Sequence, residues 1–223
     1  SQATREETAR YQREAFSWQV EAEHVSLLPD VLSSLSMIIT SHTRAASAVI
    51  VPTPAYTPFL EIPGRNGRSC IEVPSATRWA SDGSPRWELD LDGIESAMDA
   101  GAGLLVLCNP WNPVGRALTA AELDAVATLS STYGVPVFAD EIHAPLVLDA
   151  ERTHIPYASR PGSDPDLTFT ATAASKGWNI PGLKCAQLIA SGRARARWEA
   201  DAPSAHLRAE ASVVGALAPI AAL

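Results

Sequence analysis

The 223-residue chain is long enough for one large domain or two small ones, and its content of 46% hydrophobic and 19% charged residues is typical of a globular protein. A net charge of −8 argues against a protein that binds nucleic-acid phosphates or an anionic membrane surface. No apolar run reaches the roughly 18 residues needed to span a bilayer, and the polar, acidic start from Ser1 to Gln12 resembles neither a signal nor a transit peptide.

The predicted elements alternate between helices and short strands along the chain. Helices are predicted over Glu6–Phe16, Asp30–Ile39, Asp92–Ala100 and from the Thr119 cap to Tyr133. Strands are predicted over His24–Leu28, Ala48–Pro52, Cys70–Pro74, Gly103–Cys108, Val135–Ala139, Leu167–Thr172 and Cys185–Ala190. A polar loop is expected over Ser81–Arg86, and Arg193–Leu223 is expected to be mostly helical.

Helix ends are marked by capping residues. Asp92, with Glu95 three residues on, is predicted to begin one helix, and Thr119 with Glu122 forms a capping box at the start of another. Gly134 is the expected stop signal of that second helix.

Strands that are apolar on both faces, such as Gly103–Cys108, alternate with amphipathic helices. This pattern predicts an α/β three-layer sandwich whose mostly parallel sheet is covered on both sides. In such sheets ligands bind beyond the carboxyl ends of the strands. Five unusual side chains follow predicted strands closely and are expected to cluster there: Tyr56, Asn112, Asp140, His143 and Lys176.

Lysine is rare in this chain. Of the 17 basic residues only Lys176 and Lys184 are lysines. A position that stays lysine against this bias is a candidate for chemistry that a guanidinium group cannot perform, such as imine formation or proton transfer. Chance retention explains the composition equally well, so the flanking sequence must decide.

Three segments carry unusual residues at the predicted sheet edge. Asn109–Gly115 reads NPWNPVG, in which two Asn-Pro pairs force a non-helical turn and offer side-chain amides, although the segment alone is also compatible with a plain turn. Ala139–His143 reads ADEIH, and its Asp140 ends an apolar strand, where a carboxylate is costly unless a positive group, a helix cap or a salt bridge satisfies it. Ala174–Lys184 reads ASKGWNIPGLK, which predicts that Lys176 lies on a loop at the sheet edge rather than on a solvated helix face, although a lone lysine there is most often surface decoration.

In this order the three segments resemble fold-type I pyridoxal-phosphate enzymes of the class I/II aminotransferase superfamily, and most of all the cystathionine β-lyase branch called MalY/PatB. PTPAYTPF at Pro52–Phe59 and HIPYAS at His154–Ser159 are similar to the same branch. The resemblance runs from about Tyr11 to the last residue. It implies pyridoxal 5′-phosphate as the cofactor and a large cofactor-binding domain over residues 1–223.

The resemblance assigns roles to individual residues. Lys176 holds the cofactor through an imine and moves the Cα proton, and Asp140 pairs with the protonated pyridine nitrogen, which makes these two the expected catalytic residues. Asn112 donates a hydrogen bond to the phenolic oxygen of the ring, and His143 lies near the same oxygen. Tyr56 stacks on the ring.

The resemblance also places the phosphate. Lys184 takes the phosphate-binding position that arginine often fills. The helix that begins near Asp30 is expected to offer backbone contact from Asp30 or Val31, because the Asp30 carboxylate would repel a phosphate if it were aimed at it. The serine that many relatives use for the phosphate is missing, and Ser175 or Thr172 is expected to replace it.

The expected activity is that of a carbon–sulfur β-lyase that releases a thiol, pyruvate and ammonia from a sulfur amino acid. Transamination on the same scaffold is the alternative, and a non-catalytic module that uses the cofactor site as an effector pocket is a third hypothesis. Members of the family are longer and carry an N-terminal segment and a C-terminal small domain, so we expect this chain to be an incomplete large domain with weak or no turnover.

The expected setting follows from the same resemblance and from the cysteines. We expect a homodimer that acts on a small amino acid without a nucleic-acid or membrane partner. Cys70, Cys108 and Cys185 show neither a disulfide framework nor metal-ligand spacing, which predicts free thiols, no metal site and a cytoplasmic protein.

Overall fold

The computed structural model describes residues 1–79, 83–148 and 152–223. Its strands are β1 (Val25–Leu28), β2 (Val49–Thr53), β3 (Cys70–Pro74), β4 (Ala76–Trp79), β5 (Pro85–Glu88), β6 (Leu104–Cys108), β7 (Val137–Asp140), β8 (Thr168–Thr172) and β9 (Ala186–Ile189). Its helices are α1 (Gln2–Phe16), α2 (Val31–Ser41), α3 (Thr57–Arg65), α4 (Leu91–Asp99), α5 (Ala120–Tyr133), α6 (Ala174–Gly177), α7 (Gly192–Ala200), α8 (Ala202–Ala209) and α9 (Val213–Ala222).

The main sheet has seven strands in the order β1-β9-β8-β7-β6-β2-β3. The run from β8 to β3 is parallel throughout, whereas β9 is antiparallel to both β8 and β1. Because β9 runs against the others, its first residues lie at the edge where the parallel strands end. The predicted α/β class with a mostly parallel sheet is confirmed.

Two apolar cores cover the two faces of the sheet. In β6, Leu104 and Val106 pack into the core that includes α2, while Leu105 and Leu107 pack into the core that includes α4 and α5. Successive strand side chains point to opposite faces, which is why this strand is apolar at every position. The resulting three layers leave the strand ends as the place where polar side chains can gather.

The predicted signals at α5 are confirmed, whereas the predicted cap of α4 is wrong. The Thr119 side chain accepts from the Glu122 amide, Glu122 caps the Thr119 backbone in return, and Gly134 ends the helix with φ of 63°. At α4 the N-cap is Asp90, whose side chain accepts from Gly93 N at 3.0 Å, and Asp92 lies in the first turn instead. Both aspartates precede the same apolar run, and it is the earlier one that reaches a free amide.

The sequence patterns missed the strands β4 and β5 and the helix α3. The predicted loop over Ser81–Arg86 is wrong at its end, because Pro85 and Arg86 belong to β5, which pairs antiparallel with β4; residues 80–82 lie outside the described part of the chain. The strand β4 is exposed at every position and so lacks the alternating pattern that would reveal it. The helix α3, which begins beside Tyr56, was also not predicted; it carries Pro58 in its first turn and Pro63 inside.

Within the described ranges, no helix has both the length and the apolar character required to cross a membrane.

Candidate active site

A cavity of about 220 Å³ lies at the carboxyl edge of the parallel strands. Nine of the ten residues that the sequence analysis placed at a cofactor site line this cavity: Asp30, Val31, Tyr56, Asn112, Asp140, His143, Ser175, Lys176 and Lys184. Their individual roles remain predictions, but the structure brings these nine residues together.

The topology explains this convergence. Asp140 is the last residue of β7, and Lys176 lies in α6 directly after β8. Asn112 follows β6 closely and Tyr56 follows β2, so four parallel strands deliver one side chain each. Lys184 lies at the same edge because it comes two residues before β9, which runs antiparallel to β8.

Lys176 lies in α6, a helical turn of four residues, so the predicted loop is wrong in detail. The Trp178 N–H closes the turn on the Ala174 carbonyl at 3.0 Å, and Ala174 is only 2% exposed. The lysine side chain is exposed and projects into the cavity from this anchored turn. Ala, Ser and Lys are all compatible with a helical turn, and Gly177 and Pro181 limit its length.

Asp140 is only 5% exposed and forms part of the cavity wall. Burial raises the pKa of Asp140 to about 7; a hydrogen bond from Ile142 N and the charge of Lys176 work against this rise, and the charge of Glu141 adds to it. No cationic group of the described residues forms a salt bridge with the carboxylate. The side chain is therefore suited to receive a positive N–H donor from a molecule in the cavity.

His143 stands three residues after Asp140 on the same wall. Burial, and then the charge of Lys176, lower the pKa of His143, so its imidazole is neutral near neutral pH. Its Nδ1 is buried and has no hydrogen-bond partner among residues 1–79, 83–148 and 152–223. A ligand in the cavity would find here a ring that can either donate or accept a hydrogen bond.

The two asparagines of NPWNPVG have different tasks. Asn109 is fully buried; its amide nitrogen donates to Ile155 O at 3.0 Å and its oxygen accepts from Leu118 N at 2.9 Å. Asn112 lines the cavity instead. The turn between them is fixed by Trp111, whose indole N–H donates to Pro54 O at 2.9 Å. The predicted non-helical turn is confirmed, and both Asn-Pro bonds are cis.

The Asp30 carboxylate is occupied by contacts within the chain. One oxygen accepts from Ser33 N at 2.8 Å and caps α2, and the other lies 3.9 Å from the Lys184 Nζ. Both contacts weaken the repulsion that a nearby phosphate would meet, while leaving the α2 backbone N–H groups at the cavity. Of the two hydroxyls proposed for the missing serine, Ser175 lines the cavity and Thr172 does not, because Thr172 is buried in β8.

Tyr56 stands at the cavity with 41% of its surface exposed. Its ring packs edge-on against Phe59 with centroids 5.5 Å apart, which limits its rotation. An aromatic ring held in this way offers a flat apolar face to a planar ligand.

Sequence reasoning missed several residues of the site. Cys108 and Cys185 line the cavity, and burial together with the charge of Asp140 raises the pKa of the Cys108 thiol far above its usual range, so it stays protonated. Behind the cavity, Glu141 forms a fully buried pair with His154. Cys108 could have been found from its position at the end of a predicted strand, as Asp140 was. Nothing in the local sequence indicates that Glu141 pairs with His154, 13 residues further on.

The groups at this edge fit pyridoxal phosphate. A lysine amine can bind an aldehyde, a buried carboxylate without a cationic partner suits a protonated ring nitrogen, and a basic side chain beside a helix N-terminus suits a phosphate. The α/β sandwich and this set of groups together define the fold-type I class of pyridoxal-phosphate proteins.

Comparison with protein families leads to the same class. Residues 1–221 match the family model described as aminotransferase class I and II, so the chain belongs to this family, whose members depend on pyridoxal phosphate. The chain is 37% identical over 187 residues to a cystathionine β-lyase of Corynebacterium glutamicum, a match that covers 84% of this chain and 47% of the relative. It is 32% identical to the cystathionine β-lyase PatB of Bacillus subtilis, covering 86% and 48% respectively.

A solved structure shows the same architecture. The crystal structure of a protein described as a pyridoxal-phosphate-dependent β-cystathionase from Corynebacterium diphtheriae superposes with a TM-score of 0.85 at 35% identity, covering 98% of this chain and 55% of that one. The chain thus spans about half the length of the curated relatives that it matches.

Proposed function

We propose that this chain forms the large, cofactor-binding domain of a pyridoxal-phosphate-dependent carbon–sulfur β-lyase, which releases a thiol, pyruvate and ammonia from a sulfur amino acid. The observation that carries the proposal is the single cavity that holds both the Lys176 amine and the buried Asp140 carboxylate. The relatives that are 37% and 32% identical are both cystathionine β-lyases, which favours elimination over other reactions of the family.

Each residue of the cavity has its own role in the proposed reaction. Bound pyridoxal phosphate supplies an aldehyde that condenses with amines and a ring that withdraws electrons from the substrate's Cα. Lys176 would bind the aldehyde through Nζ, and the same amine would take the proton from Cα. Asp140 would keep a proton on the ring nitrogen by accepting a hydrogen bond from it. Asn112 and His143 would orient the ring through its phenolic oxygen.

The other end of the cofactor is held by groups around α2 and α6. Lys184, the Ser175 hydroxyl and the backbone N–H groups that begin at Val31 provide positive charge and hydrogen-bond donors for a phosphate. Asp30 caps α2 and keeps Lys184 nearby rather than contacting the phosphate itself. Tyr56 covers the ring and excludes water from its face.

Transamination is the second candidate, because the family model that matches residues 1–221 is described as aminotransferase class I and II. Both reactions begin when Lys176 removes the Cα proton, so the residues of the cavity serve either outcome. A lyase releases pyruvate and a thiol from cystathionine, whereas an aminotransferase forms the keto acid of its substrate.

We further propose that the protein acts as a homodimer in the cytoplasm on a small amino-acid substrate. An exposed apolar row on α9, formed by Val213, Val214 and Leu217, supports a protein–protein contact. Three free cysteines support a reducing compartment. Light scattering of the purified protein tests the homodimer. It would give the mass of two chains if the proposal is right, and the mass of one chain if it is wrong.

The proposed activity is tested by incubating the purified protein and pyridoxal phosphate with cystathionine and measuring pyruvate and free thiol. Any turnover by the wild-type protein, which we expect to be weak, should release both in equal amounts, and the Lys176→Ala variant should release neither. The Lys184→Ala variant is the matched control and should keep the reaction at raised cofactor concentration. Keto-acid formation without thiol release would contradict the lyase.

A further inference from the structure

The end of β7 carries two adjacent carboxylates that face different surroundings. Asp140 lines the cavity, whereas Glu141 does not and is only 2% exposed inside the protein. The Glu141 side chain accepts two hydrogen bonds, from Tyr157 N at 2.7 Å and from the His154 ring at 3.0 Å. A buried carboxylate is costly, and these two partners offset that cost.

His154 is as deeply buried as its partner. Its side chain has no exposed surface, and the ring of Phe16 packs edge-on against it with centroids 5.0 Å apart. The pair therefore connects α1, the segment from His154 to Tyr157 and the turn after β7. No catalytic or cofactor-binding role within the proposed function uses either residue.

The backbone around Asp140 is held from both sides. Asn109 N donates to Asp140 O at 3.0 Å, and Glu141 N donates to Ala171 O at 2.8 Å. The turn that follows is closed by Ala144 N on Glu141 O at 2.9 Å. The Glu141 side chain adds a tether to this turn that is independent of the sheet, so it restricts the direction in which Asp140 points.

We propose that Glu141 and His154 are positioning residues, which hold the turn after β7 so that the Asp140 carboxylate faces the ring nitrogen of the cofactor. This inference rests on the proposed function and assigns a role to two residues that do not touch the cofactor themselves. Misplacement of a functional group by even a small distance weakens its interaction with a bound molecule, and a buried tether prevents that.

Glu141 also affects the pKa of Asp140. Besides Glu141, the titratable groups that share the cavity with Asp140 are Lys176, His143, Cys108, Asp30, Tyr56, Lys184 and Cys185. Glu141 raises the pKa of Asp140, and the Glu141→Gln variant should lower it while keeping the shape of the side chain. A carboxylate that only stabilises the fold at a distance from Asp140 predicts no such change.

The first test measures the dissociation constant for pyridoxal phosphate by quenching of tryptophan fluorescence. The His154→Ala variant is expected to bind about tenfold more weakly. This is the effect of losing one hydrogen bond to a charged group, here the bond between a displaced Asp140 carboxylate and the ring nitrogen. His154→Gln keeps a nitrogen donor near the position of Nε2 and is expected to bind within about twofold of wild type. In the cofactor-free protein, amide hydrogen exchange over residues 140–146 should be faster in His154→Ala and restored in His154→Gln.

The second test follows cofactor binding as a function of pH. Glu141→Gln should shift the acidic midpoint to lower pH, whereas the matched control Glu122→Gln, whose carboxylate pairs with Arg116 away from the cavity, should not. An unchanged affinity in His154→Ala would overturn the positioning role, and so would an unchanged midpoint in Glu141→Gln or the same shift in Glu122→Gln. If His154→Ala does not fold, Glu141→Gln decides. Wild-type protein that fails to bind the cofactor would instead contradict the proposed function, and this inference with it.

Discussion

At the scale of single residues, Asp140 lines the cavity, and burial of its carboxylate lowers the stability of the folded protein. Its pKa is raised from 3.8 to about 7, mainly by burial, so the folded protein binds a proton more tightly there than the unfolded chain does. The sign follows from linkage: between these two values the free energy of unfolding falls as the pH rises. Above pH 7 the protein without a ligand therefore holds a buried charge that forms no salt bridge among the described residues.

The Asp140→Asn variant is expected to separate stability from cofactor binding. At pH 8 the free energy of unfolding of the cofactor-free protein should increase by on the order of 2 kcal/mol, because the buried charge is removed while the acceptor for Ile142 N is kept. Binding of pyridoxal phosphate should weaken in the same variant. Urea unfolding with and without cofactor measures both effects.

The same substitution at Asp124 is the control for this prediction. Asp124 is paired with Arg160 on the surface, which lowers the pKa of its carboxyl, so Asp124→Asn should not stabilise the protein and should not affect the cofactor. A loss of stability in Asp140→Asn at pH 8 would show that the carboxylate already has a favourable partner.

His42 gives the opposite dependence on pH. It is 4% exposed between the rings of Phe169 and Trp198, and neither of its ring nitrogens has a partner in the described part of the chain. Burial, and then the charge of Arg197, lower its pKa from 6.5 to about 4, against an opposing effect of Asp201. The unfolded chain binds the proton more tightly, so stability is lost as the pH falls from 6.5 towards 4.

The His42→Leu variant should remove this part of the acid sensitivity. The expected difference in the pH dependence is on the order of 2 to 3 kcal/mol between pH 7 and pH 4, at about 1.4 kcal/mol per pKa unit. Urea unfolding at several pH values tests it, with the exposed His206→Leu as control. Parallel curves for His42→Leu and wild type would contradict the assignment.

At the scale of elements, the capping box of α5 is expected to stabilise the fold without touching the cavity. Thr119→Ala removes the acceptor for the Glu122 amide and should lower the free energy of unfolding by about 1 kcal/mol. Thr128→Ala in the same helix is the control, because the Thr128 hydroxyl only bonds back to Asp124 O on an exposed surface. Thermal unfolding measures both; equal losses would show that the cap is not the cause, and cofactor affinity should be unchanged.

The elements differ in how much of them the sequence could predict. The α5 ends were readable because Thr119, Glu122 and Gly134 act within a few residues of each other. The hairpin of β4 and β5 was not, since its exposed residues carry no apolar alternation. The direction of β9 was equally hidden: a strand that is apolar on both faces looks the same in either direction, so only the family resemblance placed Lys184 near the site.

At the scale of the whole molecule, the site was predictable because a parallel sheet collects its strand ends at one edge. Asp140, Asn112, Tyr56 and Lys176 could be grouped from their positions after strands alone. The Glu141–His154 pair could not, because it depends on how the segment after β7 folds back, and that is set by tertiary packing. Local patterns thus identified the groups that face the cavity better than those that support it.

The central claim is that the Lys176 amine binds the aldehyde of pyridoxal phosphate. The most direct measurement is borohydride reduction of the purified protein with its cofactor, followed by peptide mapping of the modified lysine. Since Lys176 and Lys184 are the only lysines of the chain, only these two positions can carry a lysine label. We predict a stable label on Lys176 that disappears in Lys176→Arg and persists in Lys184→Arg; a label on Lys184, or none on either lysine, would contradict the account.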